Sequence, residues 1–409
     1  MINFELPQSL KNLQAMTHQL AEQGLRPISR KYDRIEHGDT PAELKPLAQM
    51  IAAGRSRSGG TDSGKNAQNN DKSADPDAVK NGTNLMGIVS VEEMCWGDTG
   101  LMLSLPASGL GNAAIQAVGT PEQKQQYGKL YCAMAITEPG AGSDSAAIGT
   151  TARREGDEWV LNGEKIYCTG GQRCDAVVVW ATLDKSLGKA AIKSFIVPRD
   201  NAGMQLVRVE DKMGLRISDT AALALTDCRI PVDHVLGSAE IADTEAARKK
   251  AFGGVMQTFD NTRPMVAAMA LGVARAALEI TTELLEKEGV KADFSKLPYN
   301  SSAIELELYR LEADLDAARL MTYKAAWMAD NGQANSKEAS MCKAKSGRMG
   351  NDVTLKCVAL CGELGYSERY LLEKLARDSK IIDIFEGTQQ IQQLIVARHL
   401  LGLCSRELK

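Results

Sequence analysis

The chain has 409 residues, 44% of them hydrophobic and 24% charged, which describes a folded protein with a large core and excludes a disordered one. With 5% aromatics, a net charge of −4 and no long basic block, a nucleic-acid-binding protein is excluded. Nine scattered cysteines without a C-x-x-C pair, and four histidines far apart in sequence, point to reduced thiols in a cytoplasmic protein and give no support for a disulfide framework or a metal site.

The first residues, MINFELPQSLKNLQAMTHQL, interleave charged and apolar positions, so they read as neither a signal peptide nor a mitochondrial leader. No apolar run approaches the length of a bilayer span. From Met1 to about Tyr131 the pattern is helical, with Leu10, Leu13, Met16 and Leu20 on one period and Pro121 opening a later helix. Residues 52–84 interrupt it. Their one large aliphatic residue is Val79, and the segment reads as a mobile surface loop. From about Ala133 to Gly237 short extended runs take over. Asn162-Gly163 inside Val160–Lys165 signals a hairpin, and Ala176–Ala181, Ser194–Val197, Gln205–Val209 and Ala221–Leu225 read as strands. Without helices between them they fit a small sandwich or barrel better than a doubly wound sheet. Helices return over Thr244–Phe259, Pro264–Glu288, Ser302–Asn331, Ser336–Leu364 and Thr388–Leu403, with Pro264 either starting its helix or kinking one. The expected fold is α+β: an N-terminal helical domain (1–131), a middle β-sandwich or barrel domain (132–240) and a C-terminal four-helix bundle (241–409).

The most specific string is Ile136-Thr137-Glu138-Pro139-Gly140-Ala141-Gly142-Ser143-Asp144, whose glycines permit positive φ and close approach, and whose amides and hydroxyls can cradle an anion. It resembles the flavin-binding signature of the acyl-CoA dehydrogenase family. Four further strings resemble that family in the same order: Leu161–Thr169, Lys212-Met213-Gly214-Leu215-Arg216, Phe259-Asp260-Asn261-Thr262-Arg263-Pro264, and Asp378–Gln392 with Ile384-Phe385-Glu386-Gly387-Thr388 at its centre.

The resemblance implies an enzyme of fatty acid metabolism that oxidises an acyl-CoA thioester to the trans-2-enoyl-CoA with FAD. Glu386 is then the α-proton base, and the β-hydride goes to flavin N5. It implies Met134, Ile136, Thr137, Tyr167 and Thr169 around the isoalloxazine, Ser143 near pyrophosphate and substrate, and Thr388 and Gln390 at the adenosine half. Asp260, Arg263 and Gly387 fall on the substrate side. An electron-transferring flavoprotein as acceptor and a homo-oligomer, tetramer or dimer, belong to the same implication. Flanking Ile384 and Phe385 suit a desolvated base of raised pKa, and Thr388 suits the cap of the next helix. Two stretches depart from the family: no arginine precedes Phe294, where Lys291 is the nearest cation, and Ala359 and Glu363 replace a glutamine and a glycine. These changes keep two alternatives open, a heteromeric dehydrogenase whose partner completes the FAD site, and a flavin oxidase of the same fold.

Overall fold

The structure, a computed structural model, describes residues 5–36, 38–57, 82–106, 109–241, 245–293, 295–404 and 407–408. Helices α1 (Gln8–Gly24), α2 (Ser29–Asp33), α3 (Leu44–Arg57), α4 (Thr83–Leu103), α5 (Leu110–Val118) and α6 (Pro121–Tyr127) precede the sheet. Pro121 does open α6, and Thr120 and Gln123 close a reciprocal capping box around it. The loop expected at 52–84 is narrower than that, because α3 runs to Arg57 and α4 starts at Thr83; residues 58–81 lie outside the described residues.

Strands β1 (Cys132–Ala135), β2 (Thr151–Glu155), β3 (Glu158–Thr169), β4 (Ala176–Thr182), β5 (Ile192–Pro198), β6 (Met204–Val209) and β7 (Thr220–Pro231) form one curled sheet, a half-barrel rather than a two-sheet sandwich. Its path is β1-β4-β2-β3-β7-β6, with β5 also on β4. Every residue of β4 is buried, which explains why Ala-Val-Val-Val-Trp-Ala-Thr does not alternate. The expected hairpin at Asn162-Gly163 is absent: β3 continues through it. Gly163 takes φ +151, and a Cβ there would come within 2.7 Å of the Thr150 Cα, so close packing on the chain leading into β2 requires the glycine. The turn lies earlier, at Gly156-Asp157, where Gly156 has φ +60 and Glu155 pairs with Glu158.

The C-terminal helices are α7 (Glu245–Lys287), α8 (Ala303–Asp330), α9 (Ser336–Leu360), the short α10 (Gly362–Tyr366), α11 (Leu372–Ile382) and α12 (Gln389–Leu401). Three differences from the sequence reading matter. α7 is one helix of 43 residues that passes through Pro264 instead of breaking there. Proline removes the bond to the Asp260 carbonyl but does not end the helix: Asp260 and Arg263 before it are tied to Ser336 and Ser340 of α9, and Val266 and Ala270 after it are in the core. Next, α9 stops at Leu360 because Gly362 turns to φ +52. Lastly, α11 has no counterpart among the expected helices. Within α7, Phe259–Lys287 has the length and mean hydropathy, 1.4, of a membrane span, contrary to the expectation that no run approaches one; 67% of its most apolar window is buried inside the protein, as in a core helix. Its Gly272 lets α4 approach so closely that a Cβ would sit 2.2 Å from the Glu92 carbonyl.

A buried charge cluster ties the regions together. Lys374 on α11 bridges Asp98 on α4 at 2.7 Å and Asp378 at 2.5 Å, while Asp378 accepts the Leu215 amide at 2.7 Å and Asp98 accepts the Ser29 hydroxyl at 2.5 Å. Asp98 leaves helical geometry, with φ −169, to reach it. Lys374→Met would strand two buried carboxylates, so unfolding in denaturant should show a loss of about 3–5 kcal/mol, against less than 1 kcal/mol for an exposed lysine such as Lys11.

Candidate active site

Where β1 ends, the backbone enters Ile136-Thr137-Glu138 and folds on itself: Glu138 and Ala141 exchange both amide bonds at 3.1 Å. The segment is pinned from beneath. Lys165, fully buried on β3, donates to the Ile136 carbonyl at 3.0 Å and to Glu138 Oε1 at 2.6 Å. Glu138 also accepts from the Thr150 amide at 3.0 Å, the Thr150 hydroxyl at 2.5 Å and the Gly149 amide. Burial alone would raise the Glu138 pKa, but these donors hold it below the ordinary glutamate value; burial lowers that of Lys165 against the pull of Glu138. The Ile166 amide donates to the Thr137 carbonyl at 2.9 Å, tying the bulge in β3 to the same segment. At that bulge Tyr167 adopts φ +56 and the residue is 62% exposed. A tyrosine held in the left-handed region and turned outward costs energy for which its own packing gives no return.

The pieces suit the flavin that the resemblance implies. Tyr167 offers an open ring face, the Thr137 and Ser143 hydroxyls have no hydrogen-bond partner among the described residues, and a Cβ at Gly140 or Gly142 would meet no atom within 4 Å. Neither glycine has positive φ, so their role is open space rather than turn geometry. Thr169 is half-buried on β3 opposite Thr220. Met134 does not face this opening; it is 9% exposed, packed with Ile115, Val178 and Ile196 in the cluster that Ile136 covers, so it backs the site from within the core.

The second half of the site is joined to the first by Phe259 of α7, which packs, as Ile136 does, against the cluster of Ala141, Ile148 and Trp180 and meets Trp180 edge-on at 6.1 Å. Less than one turn onward, the Thr262 hydroxyl donates to Glu386 Oε2 at 3.0 Å. Glu386 is not in a helix. It sits between α11 and α12 at φ +58, followed by Gly387 at φ +92, and this left-handed pair turns its carboxyl back onto α7. A Cβ at Gly387 would lie 2.5 Å from Gln392 Nε2, the movable end of that side chain, so it is the φ of +92 that calls for glycine here. Burial raises the Glu386 pKa, opposed by the Thr262 hydrogen bond and by the charges of Arg263 and Lys343. Thr388 caps α12, accepting the Ile391 amide at 3.4 Å, and Gln390 is exposed on its first turn.

Asp260 and Arg263 lie within α7 rather than at a helix start. Arg263 is 4% exposed; its Nη1 donates to Asp260 Oδ1 at 2.7 Å, and Asp260 also accepts the Ser336 hydroxyl at 3.0 Å. Arg263 therefore acts on the site by facing Glu386 with its charge. Sequence reasoning missed Thr262, Lys343 and Gln392 as neighbours of Glu386, since they come from α7, α9 and α12, and only the i, i+6 spacing of Glu386 and Gln392 left a local trace. Among the described residues no cluster of histidine, cysteine and carboxylates suits a metal. Ala359 and Glu363 are both exposed, and Phe294 lies outside the described residues. A groove of about 650 Å³ on another face, lined by Met213, Leu355, Val358, Tyr366, Arg377 and Lys380, does not include Glu386.

Two family models match the chain, acyl-CoA dehydrogenase, middle domain, over residues 133–228, and acyl-CoA dehydrogenase, C-terminal domain, over residues 252–401. The short-chain specific acyl-CoA dehydrogenase of Bos taurus mitochondria is 35% identical over 407 residues, 97% of this chain and 91% of the relative. The butyryl-CoA dehydrogenase of Megasphaera elsdenii superposes with a TM-score of 0.81 at 30% identity, covering 98% of this chain and 100% of that one. A chain solved in work on the electron transferring flavoprotein of Acidaminococcus fermentans and flavin-based electron bifurcation gives 0.80 at 29%, with 98% and 100% covered.

The Glu138 carboxylate stabilises the fold fully above the ordinary glutamate pKa of 4.5, and that contribution is lost as pH falls through its lower folded value. Lys165→Met leaves this carboxylate buried without its cation. Thermal melts at neutral pH should show a loss of about 3–5 kcal/mol, and the variant should regain part of it as acid neutralises Glu138.

Proposed function

The chain belongs to the acyl-CoA dehydrogenase family, and from that membership we propose that it removes the α- and β-hydrogens of an acyl-CoA thioester to give the trans-2-enoyl-CoA, with Glu386 as the base. The observation that carries this reading is the Glu386 carboxyl, reversed by a left-handed turn onto Thr262 and raised in pKa by burial. A carboxylate of ordinary pKa is a weak acceptor for a weakly acidic carbon-bound proton; desolvation strengthens it. FAD, when bound, supplies the acceptor for the β-hydrogen, which leaves as hydride while the α C–H electron pair closes the double bond.

The chain's own part is to hold and orient. Ile136, Thr137, Tyr167 and Thr169 hold the ring side, Ser143 and the amides around Gly140–Gly142 hold the anionic centre, and Thr388 and Gln390 reach the adenosine half. Lys165 and Glu138 fix Ile136 and Thr137 so that no reorganisation is needed when ligand arrives. Ser143 and Gly387 border the thioester, and Arg263, tied to Asp260, keeps Glu386 ionisable.

An electron-transferring flavoprotein is the proposed acceptor, in keeping with the likeness to a chain solved in work on such a flavoprotein. Seven of nine free thiols are buried, which suits a reducing, cytoplasmic setting. We also infer a homo-oligomer. The alternative is a heteromeric assembly in which a partner completes the adenosine side, where Ala359 and Glu363 are exposed. A colourless chain that stays apo after FAD addition would identify that case.

Glu386→Gln in the FAD-loaded protein should abolish anaerobic bleaching by acyl-CoA while ligand still binds; bleaching at the parental rate would remove Glu386 from the mechanism. For a carboxyl whose folded pKa is raised, the ionised form is penalised at every pH above the unfolded value, so the same substitution should raise the melting temperature at neutral pH. In the parent, activity should climb with pH through a midpoint above 4.5, the ordinary glutamate value.

A further inference from the structure

Lys343 of α9 is completely buried, and no family string from the sequence includes it. Its ammonium donates to the Gly387 carbonyl at 2.7 Å, directly behind the base. Gln392 on α12 reaches the same turn from the other side, donating to the carbonyls of Glu386 at 3.0 Å and Gly387 at 3.1 Å. The two side chains thus grip both carbonyls of the one turn that must stay left-handed for Glu386 to face Thr262.

A buried ammonium is costly unless paired. Lys374 meets two carboxylates and Lys165 meets one, yet among the described residues no carboxylate lies within ion-pair distance of Lys343. The groups around it are Asp383 at the end of α11, Glu386 itself, and Arg263 with its partner Asp260 on α7; His399 of α12 bears on Asp260. Asp383 Oδ1 has no hydrogen-bond partner, and burial pushes the Lys343 pKa down to about 8 against the pull of Asp383 and Glu386. An apolar side chain of similar length would fill this space at lower cost, so the charge and the donor need a reason beyond packing.

We propose that Lys343 is a positioning residue for the reaction: it holds the Glu386-Gly387 turn by its carbonyl and places a positive charge behind the base. This inference rests on the reading of Glu386 as the base. Without the cation, Glu386 is harder to ionise, and without the donor, the turn loses one of its two grips.

The test compares Lys343→Met, which has neither donor nor charge, with Lys343→Gln, which keeps a donor. Stopped-flow bleaching of the FAD-loaded Met variant by butyryl-CoA should slow by about 10²-fold, the scale of a misplaced catalytic group, with the dissociation constant for crotonyl-CoA changed by less than about 3-fold. The acid limb of its pH profile should move upward, and Gln should recover rate at high pH while keeping the shifted limb. Independently of turnover, the protonated-carboxyl infrared band of Glu386, identified by its absence in Glu386→Gln, should titrate at higher pH in both Lys343 variants. If Met does not fold, the Gln variant decides by its limb and its infrared midpoint. Parental rate, limb and infrared midpoint in the Lys343 variants, with Glu386→Gln inactive, would overturn the role of Lys343 and leave the base intact; parental bleaching by Glu386→Gln would overturn the base itself.

Discussion

One hydrogen bond, from the Thr262 hydroxyl to the Glu386 carboxyl, joins residues 124 positions apart and sets the geometry of the site. It requires that α7 stay helical past Pro264, because a break there would detach Phe259 and Thr262 from the buried stretch that follows. Phe259 in turn packs against the cluster of Ala141, Ile148 and Trp180 that Ile136 also borders. The same helix therefore aligns the base with the pinned Ile136–Glu138 segment. The long Ala-rich stretch that follows, with Ala267, Ala268, Ala270, Ala274, Ala276 and Ala277 nearly inaccessible, lets neighbouring helices approach α7 closely.

Three buried lysines share a residue type and differ in their surroundings. Lys374 lies among carboxylates and a backbone amide that connect separate regions of the chain. Lys165 stands under the strand exit, neutralised by Glu138. Lys343 meets a carbonyl and only distant charge. In a low-dielectric interior an ammonium's effect on its surroundings depends on what neutralises it. A paired one chiefly fixes geometry. An unpaired one keeps its field, and here that field falls on Glu386.

Local chemistry was legible where it repeats within a few residues. The helical period of α1, the helix start at Pro121, the Thr388 cap and the apolar run of β4 all follow from neighbours in sequence. The Ile136–Asp144 and Ile384–Thr388 strings also showed where the site would be. What failed depended on distant chain. Asn162-Gly163 has the composition of a turn, but Thr150 crossing beside it selects an extended glycine. Pro264 has the composition of a helix start, but the bundle on both sides carries the helix through. Met134 looked like a ring neighbour from its place in the string, whereas strand alternation and α5 turn it into the core. Thr262 was inside a quoted string, yet its contact with Glu386 needed the fold.

Backbone strain gives a further link between sequence and site. Among the described residues, the non-glycine positions with positive φ are Tyr167, Leu215, Asp227 and Glu386, and three of them fall in the strings that carry the family resemblance. Each costs on the order of 1 kcal/mol against an extended or helical alternative, so each persists only because surrounding bonds over-determine it. For Leu215 the determinant is Asp378, which takes its amide and belongs to the Lys374 cluster. For Tyr167 it is the bulge between Lys165 and Cys168, anchored by the Ile166 amide on Thr137. For Glu386 it is Gln392 and Lys343 on the two carbonyls. In all three cases a buried polar contact holds a strained residue in place, and at Tyr167 and Glu386 the strain turns a side chain toward the proposed ligand. The buried charges therefore set where the chain departs from regular structure, and those departures are where the chemistry is placed.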